Sequence, residues 1–320
     1  MPRYARYVEN GIEHTGVVFH DRVQDLPGDP DILTLLQAPE QERRELLAKA
    51  GRQQRRPVDD ATFAVPVQPR AMRDFLVFEA HIAGMKKLDG PDTPVPDQWY
   101  EAPAFLFMNP WSLLPTGTDV PMPPFTQRLD FELEVAMIVK NTVRDVPIEE
   151  AHEHIAGFCL FNDWSARDIQ GNEMRIGLGP SKGKDFANTM GPWLTTPDEL
   201  EQFREGDRYA LDMSVAVNGE VVGTDNLRNM SWSFEEMLVH ASRGAVVGAG
   251  DVLATGTASQ GALSERWARG GELTPPPLQP GDVVTMTVEG LGTIENRIVE
   301  PTSPGHTTPR ARRTYAADRL

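Results

Sequence analysis

Four acidic residues beside strand-like apolar runs are the part of this sequence best suited to chemistry. Glu132 and Glu134 lie inside one such run, Asp163 ends a second, and Asp74 begins a third. Ionised carboxylates are costly in a protein core unless a cation compensates them. A hard divalent cation with oxygen ligands can compensate several carboxylates at once. The pattern therefore predicts a site for Mg²⁺, Ca²⁺ or Mn²⁺ and points to a metal-dependent enzyme.

The spacing of the two glutamates leaves an alternative open. Alternate side chains of a strand share a face, so Glu132 and Glu134 are predicted to point the same way. The water-exposed face of an edge strand would explain this pair equally well. Asp74 and Asp163, which adjoin other apolar segments, favour shared coordination of one cation.

Other polar residues could complete a catalytic site. His81 follows Asp74 by seven residues, which would place both on one side of a helix, although a surface histidine would show the same spacing. The segment 162–170 combines an acid, a base, an amide and an indole at the end of a strand. The glycine-rich segment 177–186 holds Lys182 and Lys184. A lysine beside glycines can approach an oxyanion closely, but loop lysines are usually only solvated.

Composition excludes several classes of function. The net charge is −16, which disfavours nucleic acid and anionic membranes as partners. The single cysteine, Cys159, rules out an intramolecular disulfide and a cysteine-rich zinc site. The N-terminal residues show no apolar signal region, and no stretch approaches the roughly 18 apolar residues of a membrane span. These observations predict a soluble, cytoplasmic protein.

The chain is predicted to contain a small N-terminal α/β module over residues 1–65, a catalytic domain over residues 66–300 and a flexible tail over residues 301–320. Short strands separated by proline and glycine dominate the middle part, which indicates a β-dominated α+β fold. A helical composition covers Ile32 to Ala50. A second helix is predicted from Val146 to about Ile155, with Pro147 in its first turn.

Two local signals in the second half are more specific. Asn218-Gly219 predicts a hairpin turn between two alternating strands. Ser233 and Glu236 have the spacing of a capping box, which predicts a helix from Ser233 to Ala241.

The ordered motifs resemble those of the fumarylacetoacetate hydrolase family across about residues 66 to 300. The most specific string is Phe161-Asn162-Asp163-Trp164-Ser165-Ala166-Arg167-Asp168-Ile169-Gln170. It is supported by Asp74 with His81, Glu132-Leu133-Glu134, Gly183-Lys184-Asp185-Phe186 and Ala254-Thr255-Gly256-Thr257. The resemblance implies a mixed β-sandwich roll and a homodimer.

The same resemblance implies roles for individual residues. Family metal ligands match Asp74, Glu132, Glu134 and Asp163, and the ion would be Mg²⁺, Ca²⁺ or Mn²⁺. The catalytic histidine matches His81, and the glutamate that pairs with it in the hydrolase branch matches Glu265. The residues implied to bind substrate or stabilise the leaving group are Lys184, Arg167, Gln170 and Thr257.

The implied reaction is metal-dependent hydrolysis of a C–C bond in a β-diketone or acylpyruvate-type 2-oxo acid. A cation would polarise the carbonyl, and His81 would activate water. The family's acylpyruvases and decarboxylases carry histidine and glutamate on one short helix. That branch is disfavoured here because no acid lies near Gly84. Hydration, isomerisation or decarboxylation of a 2-oxo acid at the same site remains the alternative, followed by a non-catalytic cation-binding protein.

Overall fold

The computed structural model describes residues 3–50 and 55–312. The other residues of the expected N-terminal module and residues 313–320 of the expected tail lie outside this described part. The α-helices are α1 (Ile32–Gln37), α2 (Glu40–Ala50), α3 (Glu79–Met85), α4 (Arg167–Met174), α5 (Pro197–Leu200), α6 (Phe234–Ser242) and α7 (Leu263–Gly270). Single 3-10 turns cover Val58–Asp60, Lys86–Leu88, Asp97–Tyr100, Pro110–Ser112, Ala151–His154, Glu201–Phe203 and Leu227–Asn229.

Strands account for most of the remaining regular structure. The first half of the chain contains β1 (Arg3–Glu9), β2 (Ile12–Phe19), β3 (Arg22–Asp25), β4 (Arg55–Pro57), β5 (Thr62–Ala64), β6 (Met72–Phe75), β7 (Phe105–Met108), β8 (Leu113–Leu114), β9 (Val120–Pro121), β10 (Leu129–Asp130), β11 (Leu133–Val139) and β12 (Val143–Arg144). The second half contains β13 (Ile155–Asp163), β14 (Ser165–Ala166), β15 (Asn188–Thr195), β16 (Arg204–Glu205), β17 (Arg208–Tyr209), β18 (Asp212–Val217), β19 (Glu220–Asn226), β20 (Val246–Val247), β21 (Val252–Ala254), β22 (Val283–Val288) and β23 (Gly292–Val299).

Two mixed sheets organise the described residues. The larger has 12 strands in the order β4-β3-β2-β1-β15-β13-β11-β21-β6-β7, with β5 paired to β1 and β8 paired to β15. The smaller has five strands in the order β19-β18-β22-β23-β9. The β21–β6, β15–β8 and β23–β9 pairs are parallel, and the other pairs of these sheets are antiparallel. The predicted β-dominated α+β class is confirmed.

The central strands of the large sheet are buried on both faces, which explains their almost continuous apolar sequence. Leu133, Val135 and Met137 of β11 pack into one core with residues of the five-stranded sheet, such as Met286. Ala136 and Ile138 face a second core on the other side of the large sheet. The metal-ligand candidate Glu134 belongs to this second face, because alternate residues of a strand share a side.

The N-terminal segment contributes to the same sheet and to the second core. Tyr4 of β1 pairs with Leu194 of β15, so β1 continues the large sheet. Ile32 and Leu36 of α1 pack in one cluster with Phe161 of β13. The proposed domain boundary at residue 65 is therefore crossed by backbone pairing and by shared apolar packing. No helix within residues 3–50 and 55–312 is long and apolar enough to cross a membrane.

Local predictions had mixed outcomes. The Asn218-Gly219 hairpin between β18 and β19 is confirmed, as is the capping box of Ser233 and Glu236 at the start of α6. The single helix predicted from Ile32 to Ala50 is wrong, because Ala38 takes an extended conformation before Pro39 and divides it.

The helix predicted from Val146 to Ile155 is also wrong. Its segment forms turns and the 3-10 helix Ala151–His154. The backbone amide of Val146 donates to the Ser242 side chain, and β13 already begins at Ile155. Contacts at both ends of the segment therefore hold it in turns and a 3-10 helix.

Replacement of Ile32 by alanine tests whether the N-terminal segment unfolds with the rest of the chain. Ile32 is fully buried, so Ile32→Ala should lower the free energy of unfolding by about 2–5 kcal/mol. Because the core is shared, we expect one cooperative transition at lower denaturant concentration, followed by circular dichroism and tryptophan fluorescence. Ile12→Ala, at a residue 61% exposed, is the control and should change stability by less than about 0.5 kcal/mol. A separate early transition in Ile32→Ala would show that residues 1–65 unfold alone.

Candidate active site

The structure brings the four predicted metal ligands together at one end of the large sheet. Asp74 lies on β6, Glu132 directly precedes β11, Glu134 lies on β11, and Asp163 ends β13. One oxygen from each carboxylate lies within 4.8 Å of the others, and all four side chains are buried. Burial removes the alternative of a water-exposed strand face for Glu132 and Glu134.

The donor set fits a hard divalent cation. Asp74 Oδ1 and Glu134 Oε1 are buried and have no hydrogen-bond partner among the described residues. An unpartnered buried oxygen is unfavourable, and a bound cation would satisfy both of these oxygens. Oxygen-only ligands suit Mg²⁺, Ca²⁺ or Mn²⁺. The four carboxylates would be its protein ligands.

Burial and mutual repulsion make the cluster resist full ionisation when no cation is bound. Burial raises the pKa of Asp74 to about 7, although the Lys184 ammonium opposes this change. Burial and the charges of Asp74 and Glu132 raise the pKa of Glu134 well above its ordinary value. The pKa of Asp163 is also raised by burial, against the effect of Lys184. Bound metal must therefore displace protons as well as water.

Two buried cations interact with the same acids. The Lys184 ammonium donates to Asp163 Oδ2 at 2.5 Å and also to Glu132 Oε2. Arg167 forms an ion pair with Glu132, with 2.8 Å between Nη2 and Oε1. Burial would raise the pKa of Glu132, but Arg167 and Lys184 outweigh it and hold that pKa below its ordinary value. Glu132 is thus the carboxylate that stays ionised, while Asp74 and Glu134 have no such close cationic partner in residues 3–50 and 55–312.

Asp130 is a functional residue that the sequence predictions missed. Its fully buried carboxylate accepts hydrogen bonds from the backbone amides of Leu263 and Ser264 at 2.8 and 2.9 Å, at the start of α7. It also accepts from Arg167 Nε at 2.8 Å. Asp130 therefore caps α7 from a distant strand and orients Arg167 at the same time. Its alternation with Glu132 and Glu134 was the available signal, since all three are spaced by two residues.

His81 and Glu265 come from different helices and meet in the site. His81 lies on α3, Glu265 lies on α7, and His81 Nδ1 is 2.8 Å from Glu265 Oε2. Burial would raise the pKa of Glu265, but hydrogen bonds from His81, Arg269 and the Gln260 amide hold it below its ordinary value. An ionised Glu265 fixes the proton of His81 on Nδ1 and leaves Nε2 free to accept one.

The predicted relation between Asp74 and His81 was wrong in one respect. Both face the site, but no single helix joins them, because Asp74 lies on β6 and His81 belongs to the next element, α3. Asp74 pairs with Ala254 of the parallel strand β21, and this pairing keeps Asp74 in the sheet. Strand pairing across the sheet thus overrides the helical spacing.

Close packing between α3 and α7 depends on a glycine. A Cβ atom on Gly84 would lie 2.6 Å from Glu265 Cγ, 2.7 Å from Glu265 Oε1 and 2.8 Å from Arg269 Nη2. Arg269 donates to Glu265 Oε1 at 2.8 Å and to the Ala80 carbonyl at 2.8 Å. The sequence has no acid near Gly84 on α3, and the Glu265 side chain on α7 takes the position beside His81 instead.

The remaining predicted residues lie around this centre. Gln170 is half-buried on α4 and accepts a hydrogen bond from Arg167 Nη1 at 3.1 Å. Thr257 is buried in the loop after β21. Gly256, beside it, has φ +78°, and a Cβ atom at this position would meet the Phe75 carbonyl oxygen at 2.2 Å. This close approach lets the Gly256 amide donate to Glu134 Oε2 at 3.2 Å.

Residues 70–299 match the family described as Fumarylacetoacetate (FAA) hydrolase C-terminal. The chain belongs to the fumarylacetoacetate hydrolase family. The matched segment contains every residue described above as part of the site, from Asp74 to Arg269.

Curated relatives include fumarylacetoacetases from plants and animals. That of Oryza sativa subsp. japonica is 30% identical over 245 residues, which cover 63% of this chain and 57% of the relative. That of Bos taurus is 30% identical over 241 residues, which cover 62% of this chain and 57% of the relative. The chain therefore spans little more than half the length of these family members.

Solved structures of low sequence identity share the fold. Fumarylacetoacetate hydrolase from Exiguobacterium antarcticum has a TM-score of 0.72 and 24% identity, and the comparison covers 94% of this chain and 100% of that chain. Maleylpyruvate hydrolase from Sphingobium sp. SYK-6, in complex with manganese(II) ion and pyruvate, has a TM-score of 0.69 and 22% identity over 94% of this chain and 100% of that chain. These likenesses place the two packed sheets in the fold of the family.

Replacement of Gly84 by alanine tests the packing that holds His81 against Glu265. Alanine favours a helix over glycine by up to about 1 kcal/mol, but overpacking at this contact should cost about 1–3 kcal/mol. We expect Gly84→Ala to lower the melting temperature and to change the His81 ring signals in ¹⁵N–¹H NMR spectra.

The matched control for Gly84→Ala is Gly270→Ala, at the end of α7. A Cβ atom there meets nothing within 4 Å, so the control should leave the His81 signals unchanged and should not lower stability. Unchanged His81 signals in Gly84→Ala would contradict the proposed contact between α3 and Glu265.

Proposed function

We propose that this protein is a divalent-metal-dependent hydrolase that cleaves a C–C bond in a β-diketone or acylpyruvate-type 2-oxo acid. The observation that carries the proposal is a buried His81–Glu265 pair beside a four-carboxylate cluster and Lys184. His81 lies near Glu132, since after Arg167 and Lys184 it is a further group that lowers the pKa of this carboxylate. A base, a cation site and a buried ammonium group are therefore available to one substrate.

The proposed reaction is R–CO–CH₂–CO–COO⁻ + H₂O → R–COO⁻ + CH₃–CO–COO⁻ + H⁺. The water oxygen bonds to the carbonyl carbon C4 as His81 removes one of the water protons. The C3–C4 bond then breaks with its electron pair on C3, and His81 returns the proton to C3. The new carboxylic acid loses its own proton at neutral pH.

The residues of the chain have separate roles in this reaction. A bound Mg²⁺, Ca²⁺ or Mn²⁺ ion would supply Lewis-acid polarisation of the substrate oxygens. His81 Nε2 is the general base, and Glu265 keeps its ring in the required tautomer and orientation. Lys184 and Arg167 stabilise negative charge on the leaving enolate, since buried cations act strongly at short range.

The residues of helix α4 and the loop after β21 belong to substrate binding in this proposal. Gln170, which contacts Arg167, orients the leaving group. Thr257 follows Gly256 directly and contributes a hydroxyl at the buried edge of the site. Both assignments rest on the family resemblance and on their positions beside Arg167 and Glu134.

Three further features belong to the proposal rather than to the observed structure. We propose a homodimer, a cytoplasmic location and a division of the chain at residues 65 and 300. Support for the homodimer comes from the family resemblance. Support for the division comes from the 70–299 extent of the family match, which marks a sequence unit, while β1 and α1 share the sheet and the core of that unit.

Product identification tests the reaction. The full chain with Mg²⁺ should convert 2,4-dioxopentanoate into acetate and pyruvate, detected by NMR and mass spectrometry. The panel should also contain a 3,5-dioxo acid, because Glu265 pairs with His81 as in the hydrolase branch of the family. We expect His81→Ala to lower kcat by about 10²–10⁴-fold, which is the usual contribution of a general base.

The control for this substitution is His152→Ala, at an exposed histidine outside the site, which should keep full activity. Metal binding should survive in His81→Ala, because His81 is not a proposed ligand. Addition of water without C–C cleavage would show hydration instead of hydrolysis. Loss of CO₂ would show decarboxylation, and a product of unchanged mass would show isomerisation. Full activity of His81→Ala would remove His81 from the role of base.

A further inference from the structure

Leu106 lies beside the metal-ligand candidate on the edge of the large sheet. The antiparallel pairing of β6 and β7 places Leu106 directly opposite Asp74. Side chains of directly opposed residues project from the same face of the sheet, with Cβ atoms about 4.5–5.5 Å apart. Leu106 is half-buried and packs at the border of the second apolar core. The wall of the site next to Asp74 is therefore apolar.

Met174 extends the face of α4 that carries Arg167 and Gln170. Gln170 and Met174 follow Arg167 by three and seven residues, so all three share one face of the helix. Arg167 and Gln170 are hydrogen-bonded to each other inside the site. Met174 continues their row toward the solvent and is 53% exposed. The row thus changes from a cation through an amide to an apolar side chain.

Trp111 lies on a turn that side-chain hydrogen bonds hold beside Lys184. Asn109 Nδ2 donates to the Asp185 carbonyl at 3.2 Å, and Ser112 Oγ donates to the same oxygen at 2.5 Å. These bonds hold both ends of the turn against the residue that follows Lys184 in the chain. Trp111 lies between them with 91% of its surface exposed, and a large exposed aromatic group at this place indicates a contact surface.

Four cations near this wall already have carboxylate partners. Arg73 pairs with Asp251 at 3.2 Å. Lys182 pairs with Asp185 at 2.8 Å. Lys184 is held by the metal-ligand carboxylates, and Arg167 by Asp130 and Glu132. A second carboxylate on a substrate would reach these four cations only in competition with their present partners, and beside Leu106 and Met174 it would lose its hydration at a high cost.

We propose that the acyl group of the substrate ends in an apolar chain or ring and not in a second carboxylate. Leu106, Met174 and Trp111 are then specificity-determining residues for the acyl group, while the carboxylate cluster, Lys184 and Arg167 hold the 2-oxo acid end. This inference rests on the proposed function, since it names the substrate class for that same site. Arg175, next to Met174, lies about 100° round the helix axis from it and serves as a control position.

The test compares two substrates of equal shape with the full chain and Mg²⁺. In 7-methyl-2,4-dioxooctanoate an isopropyl group occupies the place of the terminal carboxylate of 2,4-dioxoheptanedioate. We expect kcat/KM to be at least about tenfold higher for the apolar substrate, because each buried methylene contributes about fourfold. Equal rates, or a preference for the dicarboxylate, would overturn the inference while leaving the hydrolase proposal intact.

Two substitutions locate the preference in the structure. Met174→Arg and Leu106→Arg should each lower the ratio of the two kcat/KM values by about tenfold or more, since each places a cation beside the acyl group. Met174→Arg keeps the test valid if Leu106→Arg fails to fold, because Met174 is largely exposed. Arg175→Gln should leave the ratio unchanged. An unchanged ratio in Met174→Arg would assign these apolar side chains to a contact between protein copies and overturn the inference.

A binding measurement separates failure of this inference from failure of the proposed reaction. The probes are 7-methyl-2-oxooctanoate and 2-oxoheptanedioate, which lack the C4 carbonyl group and so cannot be cleaved. They are titrated calorimetrically in the presence of Mg²⁺. If neither dioxo acid is cleaved, the hydrolase proposal fails, and tighter binding of the apolar probe still supports an apolar substrate. Tighter binding of the dicarboxylate probe, or no binding of either probe, would overturn the inference of an apolar acyl group.

Discussion

Burial of several carboxylates at one point of a sheet is the constraint on which the rest of this site depends. Asp74, Glu132, Glu134 and Asp163 sit at the ends of strands whose other residues form the core. The sheet brings them together because β6, β21, β11 and β13 are neighbours in it. Charges in such a place require opposite charge nearby, since desolvation costs several kcal/mol per ion. Lys184 and Arg167 supply part of it, and the unpartnered oxygens of Asp74 and Glu134 show where more is needed.

The same constraint connects the cluster to the general base. Arg167 is held by Asp130, and Asp130 also binds the first amides of α7, the helix that carries Glu265. Glu265 in turn holds His81 on α3, where Gly84 permits the two helices to approach. A single buried carboxylate thus sets the position of an arginine beside the metal-ligand candidates and of the helix that orients the histidine. Preorganisation of this kind keeps reacting groups in place without rearrangement during the reaction.

Much of this arrangement could be predicted from the sequence, because strand periodicity acts locally. The alternation of Glu132 and Glu134, the capping box of Ser233 and the turn at Asn218-Gly219 all follow from neighbouring residues. The relation of Asp74 to His81 and the role of Asp130 could not be obtained in this way. The first depends on pairing between β6 and β21, and the second on a contact with residues 263–264, far along the chain. Pairing between distant segments overrides local spacing, so these features require the fold.

Calorimetric titration of the metal-free protein with Mn²⁺ tests most directly whether the four carboxylates form one cation site. One ion should bind per chain, with protons released near neutral pH. Binding should weaken as the pH falls, because Asp74, whose pKa burial raises to about 7, then holds a proton that the metal must displace. Glu134→Gln should abolish this binding without loss of fold, because glutamine has the shape of the protonated side chain that the raised pKa of Glu134 favours in the metal-free protein. Glu149→Gln, at an exposed residue, should bind as the parent does. Absence of saturable binding, or binding that survives in Glu134→Gln, would contradict the account.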